Sequence, residues 1–457
     1  MEICGLSDPR VWEALLSSTL ERRGTVDSSD LRGKRRVPRR FRRNVRPEGA
    51  SEITLDINER RYVLRPRVTW GLDMDLQKCT RCGLPETYET IEFDSMGVCN
   101  ICLQHTFKNE SINWTERREM LEYLVSGHRG KTQYDCLVPF SGGKDSTFTL
   151  LYLVKELKLK PLVVQFNHGF LRPGVLANNE RTFKQLGVDV LSFTPNWRVV
   201  KLLMKESLVR KGDFCWHCHT GIFSYPMHVA VRHEVPLVFW GEPSSEYTAY
   251  YDYRSNEIEK VDEERFNRYV NLGLTGEDMR EIISENQNVD PRDFEPYIYP
   301  KSEDLKKAGI QSVTLGSFIP WNTRTQSERI KDELGWEGDE VEGMPPGRFD
   351  YEKIECYMQG SRDYLKFLKR GYSRVSQMTA LDLRNGLIDR SEADQLVENF
   401  EGKRPPSLDL LMEYLEIDED EFNEIASKMS IAPHKPFFEK IPIAPKTHDF
   451  ETWYREP

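Results

Sequence analysis

Four cysteines in two close pairs, Cys79-x2-Cys82-x16-Cys99-x2-Cys102, have the spacing of a tetrahedral zinc site. Each pair places two thiolates on one face of a tight turn. Gly83 and Gly97 lie beside the pairs, where a turn needs positive φ. Four thiolates close the coordination shell, so such a site is structural. A second set, Ser141-Gly142-Gly143-Lys144-Asp145-Ser146, brings backbone N–H groups and two hydroxyls to one loop. That composition cradles an anion, and a helix starting there adds its positive dipole end. The Gly-to-Gly-Lys spacing is too short for a Walker A loop. Asp145 is placed to hold Mg2+ beside a polyphosphate, and Lys144 to neutralise charge on a departing pyrophosphate.

A third set is Phe214-Cys215-Trp216-His217-Cys218-His219, just ahead of a helical stretch whose dipole lowers a thiol pKa. Three readings of it stand open: a second metal or cluster site with a histidine, redox or sulfur-carrier chemistry, and a pocket wall without metal. Cys4, Cys136 and Cys356 are scattered along the chain. Glu242, in Trp240-Gly241-Glu242, follows a strand and is a candidate contact to substrate or Mg2+. Trp321 is a candidate pocket wall, Asn322 or Thr323 an N-cap. Arg324 and Arg198 are candidates for an anionic sugar nucleotide.

Elements that position these residues read from periodicity. Strands are expected at 135–140, 161–166, 188–193 and 236–240, alternating with helices at 146–158, 176–186, 197–210 and 220–233. This alternation implies βαβ units and a doubly wound parallel sheet. A further strand is expected at 311–319. Helices follow at 323–334, 351–369, 376–385, 391–400 and 407–427, then an extended, Pro-rich tail. The expected division is a basic arm at 1–50, a zinc-ribbon module at 51–110, an α/β domain at 111–330 with an insertion near 251–310, and a helical region at 331–457.

At 457 residues the chain can bury several cores. Its 30% charged content and lack of a run near 20 apolar residues argue against a membrane span. Residues 1–30 show no secretory signal, and the paired cysteines suit a reducing compartment, so a cytoplasmic protein is expected. Residues 32–46 carry nine Arg or Lys, leaving the rest near −19 of a total of −10. An acidic body argues against nucleic acid as the main substrate, though the arm leaves it open.

The hexapeptide resembles the pyrophosphate loop, SGGxDS, of the AMP-forming PP-loop ATPases. In that fold, residues at the end of the next strand support the nucleoside, which here points to Asn167 and His168. The ordered set KCTRCGLPETYETIEFDSMGVCNIC, PFSGGKDS, FNHGF, FCWHCHTGIF, PLVFWGE, FIPWNTRTQSERIKDELGW and LKRGYSRVSQMTALDLRNGLIDRSEA, from about residue 76 to 430, resembles the N-acetyl sugar amidotransferases of bacterial surface-sugar and nonulosonic acid pathways. The first 70 residues and part of 251–310 lie outside the likeness. The resemblance implies a PP-loop (HUP-like) α/β fold with an N-terminal zinc ribbon and a helical C-terminal region. It implies ATP, Mg2+ and structural Zn2+ as cofactors, and conversion of an N-acetyl group on a nucleotide-linked sugar to an acetamidino group. The ATP loop would be Ser141, Gly142, Gly143, Asp145 and Ser146, with Lys144 and Asp145 catalytic. The substrate side would use Cys215, His217, Cys218, His219, Glu242, Trp321 and Arg324. Ammonia would come from a glutaminase partner with synthase-like subunits. The competing reading is a PP-loop tRNA thiolase, weakened by the want of an obvious third catalytic cysteine.

Overall fold

The computed structural model describes residues 53–57, 60–64, 76–248, 262–271, 273–439 and 441–448. The sequence also reads as a short helix at 8–22; it and the basic arm at 32–46 lie outside the described residues. The chain divides into two units, 1–69 and 70–457. In the first, β1 (Ile53–Ile57) and β2 (Arg60–Leu64) form an antiparallel hairpin with Ile53 opposite Leu64.

The second unit is built around a five-stranded, wholly parallel sheet: β3 (Cys136–Phe140), β4 (Pro161–Phe166), β5 (Asp189–Phe193), β6 (Leu237–Trp240) and β7 (Gln311–Thr314). Their spatial order is β5-β4-β3-β6-β7. Every residue of β3 and β4 is buried, which is why both read as unbroken apolar runs: helices cover both faces of a parallel sheet. Two helices, α1 (Asn100–Glu110) and α2 (Trp114–Ser126), precede the sheet, and the crossover helices are α3 (Lys144–Lys155), α4 (Pro173–Leu186), α5 (Trp197–Lys211) and α6 (Trp216–Arg232). From β3 the chain winds through β4 to β5, then returns to the other side of β3 as β6. The winding direction therefore reverses between β3 and β6, and the loops leaving their carboxyl ends flank the crevice where such sheets bind ligands. The doubly wound α/β sheet expected of a PP-loop protein is thus the observed fold.

Three expected elements change. The strand expected at 311–319 stops at Thr314, and Leu315–Ser317 form a 3-10 turn. The helix expected at 407–427 is two helices, Ser407–Leu415 and Glu419–Lys428. Glu416 takes a left-handed conformation (φ 55°) that ends the first, and Asp418 caps the second. The helix expected from 351 begins only at Gln359, as α7 (Gln359–Arg370). Residues 351–358 are irregular because tertiary partners claim them. Lys353 is left-handed (φ 53°), and Leu171 bridges Cys356. The Tyr357 N–H donates to the Phe170 carbonyl at 3.0 Å.

Candidate active site at the switch point of the sheet

The loop between β3 and α3 closes on its own hydroxyls. Ser146 Oγ accepts from the backbone N–H groups of Ser141 (3.3 Å) and Gly142 (3.2 Å), and Ser141 Oγ accepts from Gly143 N–H (3.3 Å). Gly142 has φ +90°, and a Cβ there would fall 2.4 Å from Asn179 Oδ1. A Cβ on Gly143 would fall 1.7 Å from Glu355 Oε1. Gly142 is therefore favoured by its positive φ as well as by close approach, and Gly143, with φ −75°, by the approach of Glu355 alone. Trp336 Nε1 donates to the Gly142 carbonyl at 3.3 Å and fixes the loop from behind.

Charge gathers beside this loop. Lys144, 2% exposed, lies 2.8 Å from Asp145 Oδ2 and 2.7 Å from Glu352 Oε2. Glu352 also meets the guanidinium of Arg374 at 3.3 Å. Burial alone would lower Lys144, but Asp145 and Glu352 hold it well above its ordinary value. Burial alone would raise Asp145, yet Lys144 and Lys353 pull it below the usual carboxylate range. Glu242 goes the other way: burial and the charge of Asp145 push it well above that range. Gly241 makes this meeting possible, since a Cβ there would fall 3.1 Å from the Asp145 carbonyl. Asp145 Oδ1 and Glu242 Oε2 are buried oxygens without a hydrogen-bond partner. Two facing carboxylates with unmet oxygens at a phosphate-type loop are a donor set that fits Mg2+.

The histidines expected to contact ligand are neutral. His168 Nδ1 accepts from the Phe170 N–H at 3.3 Å, and burial holds it down to about 3. His217 lies with Nε2 3.4 Å from the His168 carbonyl and is held to about 4, again by burial. Burial likewise holds His219 to about 3. Asn167 makes a local turn, accepting from Gly169 N–H (3.0 Å) and donating to Thr194 Oγ1 (3.1 Å). Cys215 caps α6 and Cys218 lies in its first turn, but the expected lowering of a thiol is reversed: burial pushes both well above their ordinary value. Trp321 is 2% exposed and packs edge-on to Phe148 in the core, with ring centroids 5.5 Å apart. Arg324 turns to Asp382 at 3.5 Å. These last two have partners of their own away from the loop's carboxylates. Asn322 is the N-cap of Thr323–Leu334, accepting from Thr325 N–H at 3.1 Å.

Cys79, Cys82, Cys99 and Cys102 converge with all sulfurs within 4.8 Å of one another. The Cys79–Cys102 and Cys82–Cys99 sulfurs stand 3.9 and 3.7 Å apart. A tetrahedron with metal–sulfur bonds of about 2.3 Å has edges of about 3.8 Å, so the four thiols fit one zinc-sized ion. Backbone N–H groups of Cys99 (3.2 Å) and Cys102 (3.4 Å) point at sulfurs, and contact with Cys102 leads in lowering Cys82 to about 7. The module braces the crevice. The Tyr88 hydroxyl donates to the Tyr247 carbonyl at 2.6 Å, and Lys108 Nζ pairs with Glu246 and donates to the Trp321 carbonyl at 2.6 Å. Both contacts hold the turn that follows Glu242.

Sequence reasoning missed the segment 351–356 altogether. Glu352, Lys353 and Glu355 enter the loop's surroundings from more than 200 residues away, and their composition reads as helix. It also missed Asn179, 3% exposed, whose amide lies against Gly142 with neither end hydrogen-bonded. Cys356, taken as scattered, shares a packed cluster with Cys215.

Residues 348–453 match the model of the C-terminal domain of WbpG-like lipopolysaccharide biosynthesis proteins. That match contains Glu352, Lys353, Glu355 and Cys356. Uncharacterized protein MJ1599 of Methanocaldococcus jannaschii is 26% identical over 143 residues, 31% of this chain and 50% of that protein. The chain thus spans about half the length of that curated relative. A solved structure, the U34-tRNA thiolase NcsA from Methanococcus maripaludis with its 4Fe-4S cluster, aligns at 11% identity over 71% of this chain and 89% of that one. Its TM-score is 0.26, a superposition too loose to bear on function. No helix among the described residues is long and apolar enough to cross a membrane.

Proposed function

We propose that this chain, whose residues 348–453 match the WbpG-like C-terminal domain, is an ATP-dependent, AMP-forming amidotransferase acting on a nucleotide-linked N-acetyl sugar. The observation that carries the reading is that the segment matched to the WbpG-like domain is built into the loop. Glu352 reaches Lys144 at 2.7 Å, and Glu355 closes on Gly143. Packing of the matched segment against the phosphate-type loop supports reading the two as one site.

In this reading the acetamido oxygen attacks the α-phosphorus of ATP and pyrophosphate leaves. Ammonia then adds to the activated carbon, and AMP departs with the original oxygen, leaving C=NH where C=O had been. No protein nucleophile is needed, so catalysis rests on positioning and charge stabilisation. The Ser141–Gly143 amides and the α3 N-terminus face the phosphates, and Lys144 and Lys353 offset their charge. Asp145 and Glu242 would hold Mg2+, which when bound offsets developing phosphate charge. Buried, neutral His168 and His217 shape the neighbouring wall without donating charge. Ammonia from a glutaminase partner, and the cytoplasm as the site of action, complete the proposal.

A second reading has one observation in its favour. The third cysteine that a tRNA thiolase would need is present in space, as Cys356 beside Cys215. One experiment separates the two readings. The protein is incubated with ATP, ammonium and a panel of nucleotide-linked N-acetyl sugars, following AMP and pyrophosphate, with mass spectrometry of the sugar. AMP release with one sugar oxygen replaced by NH is expected. AMP release only on tRNA with a sulfur donor would replace the proposal with the thiolase reading.

A further inference from the structure

The two glycines of the phosphate-type loop meet unlike neighbours. Gly142 faces the neutral amide of Asn179. Gly143 faces a carboxylate: a Cβ there would fall 2.6 Å from the Glu355 carboxyl carbon. Gly143 is also the N-cap of α3 and supplies no side-chain cap. A loop composed to hold an anion thus carries an anion of the chain itself against its N-cap glycine. The rest of the loop is closed on its own hydroxyls. The N–H groups of Ser141 and Gly142 are spent on Ser146 Oγ, and that of Gly143 on Ser141 Oγ.

Backbone and side chain of Glu355 are held differently. Its carbonyl accepts from Arg172 N–H at 3.2 Å, Cys356 bridges Leu171, and Tyr357 N–H donates to the Phe170 carbonyl at 3.0 Å. The backbone is therefore pinned to the turn after β4. The side chain is only half-buried, and Lys353 acts on it and on Glu242 together. Glu352, three residues earlier, is the contrast. It is 1% exposed and locked between Lys144 at 2.7 Å and Arg374 at 3.3 Å. Glu355 is thus a carboxylate on a fixed stem with a head that can turn. A polyphosphate arriving alone meets that head as a like charge at closest range, in a setting where charges are poorly screened. A divalent cation carried on the phosphate cancels the repulsion.

We propose that Glu355 makes the loop selective for metal-complexed polyphosphate: its carboxylate takes the place of a phosphate group against Gly143 and yields it to phosphate that arrives with a divalent cation. The inference rests on the reading of the loop as an ATP site and holds whichever group the enzyme transfers.

Binding tests this without turnover. Full-length protein is titrated calorimetrically with pyrophosphate and with ATP, each in excess EDTA and in excess Mg2+. The unaltered chain should prefer the Mg2+ forms. In Glu355→Gln, metal-free pyrophosphate should bind at least about 10-fold tighter than in the unaltered chain, while the Mg2+ form changes by less than about 3-fold. Glu180→Gln, which removes the same charge at an exposed position on α4, should leave both affinities as they were. Tightening separates this role from a structural or metal-holding one, because losing such a carboxylate weakens binding. Metal-free affinity that is unchanged or weaker in Glu355→Gln overturns the inference. So does an unaltered chain that binds both ligands equally well with and without Mg2+. That outcome leaves the loop an ATP site, and it needs no variant should Glu355→Gln misfold. Binding of neither ligand under either condition would remove the ATP reading, and the inference with it.

Discussion

The four-cysteine module and the crevice at the ends of β3 and β6 are both dense in ionisable groups, yet they are built in opposite ways. In the module the sulfurs face one another at 3.7 and 3.9 Å, and backbone N–H groups point at them. In the crevice, buried donors and acceptors are left unmet: Asp145 Oδ1, Glu242 Oε2 and both ends of the Asn179 amide. Unmet buried polar groups cost stability, and these four atoms sit together around the phosphate-type loop. The chain supplies all four donors of a closed shell in the module, which serves as a brace. In the crevice polar groups stand open instead.

Breaking the module should have the largest effect. Cys82→Ser leaves three thiolates for a four-coordinate ion and should cost the metal and on the order of several kcal/mol of stability. Metal analysis and thermal unfolding read it; a stable, metal-replete variant would refute the closed four-thiolate site. Asp145→Ala strikes the crevice. AMP formation should fall by at least about 100-fold, while the urea midpoint and module metal stay close to those of the unaltered protein, because Lys144 retains Glu352. Unchanged turnover would remove Asp145 from the chemistry. The smallest effect sharpens the contrast through pH. Burial holds His168 at about 3 in the folded chain, below its ordinary value of 6.5. Between those values the unfolded chain binds more protons. The contribution to stability is therefore full above pH 6.5 and is lost as pH falls toward 3, at up to about 1.4 kcal/mol per pH unit. In urea titrations from pH 6.5 to 4.5, His168→Gln should show the shallower slope. Equal slopes would mean that His168 protonates as freely in the folded chain as in the unfolded one.

Local pattern was enough for much of this molecule. The strands at β3 and β4, the loop Ser141–Ser146 and the CxxC pairs are each contiguous, and their physics is short-range: apolar runs for strands covered on both faces, glycines for a loop that closes on an anion, thiols two residues apart for one metal. The position of Glu242 beside Asp145 was also legible, because a carboxylate just past a parallel strand lies at the crevice wherever the sheet's order reverses. The sequence could not place residues 351–356. Their composition favours a helix, and only the pull of Lys144 and Arg374 on Glu352, with the pairing of 355–357 against 170–172, holds them in an irregular path. Asn179 reads as one polar position on an amphipathic helix, and its contact with Gly142 exists only once α4 packs on the loop. Cys356 reads as a lone thiol until the His168–Arg172 turn brings it beside α6. Short-range preferences act between neighbours in the chain, whereas a site assembled from segments far apart in sequence depends on packing that no local window contains.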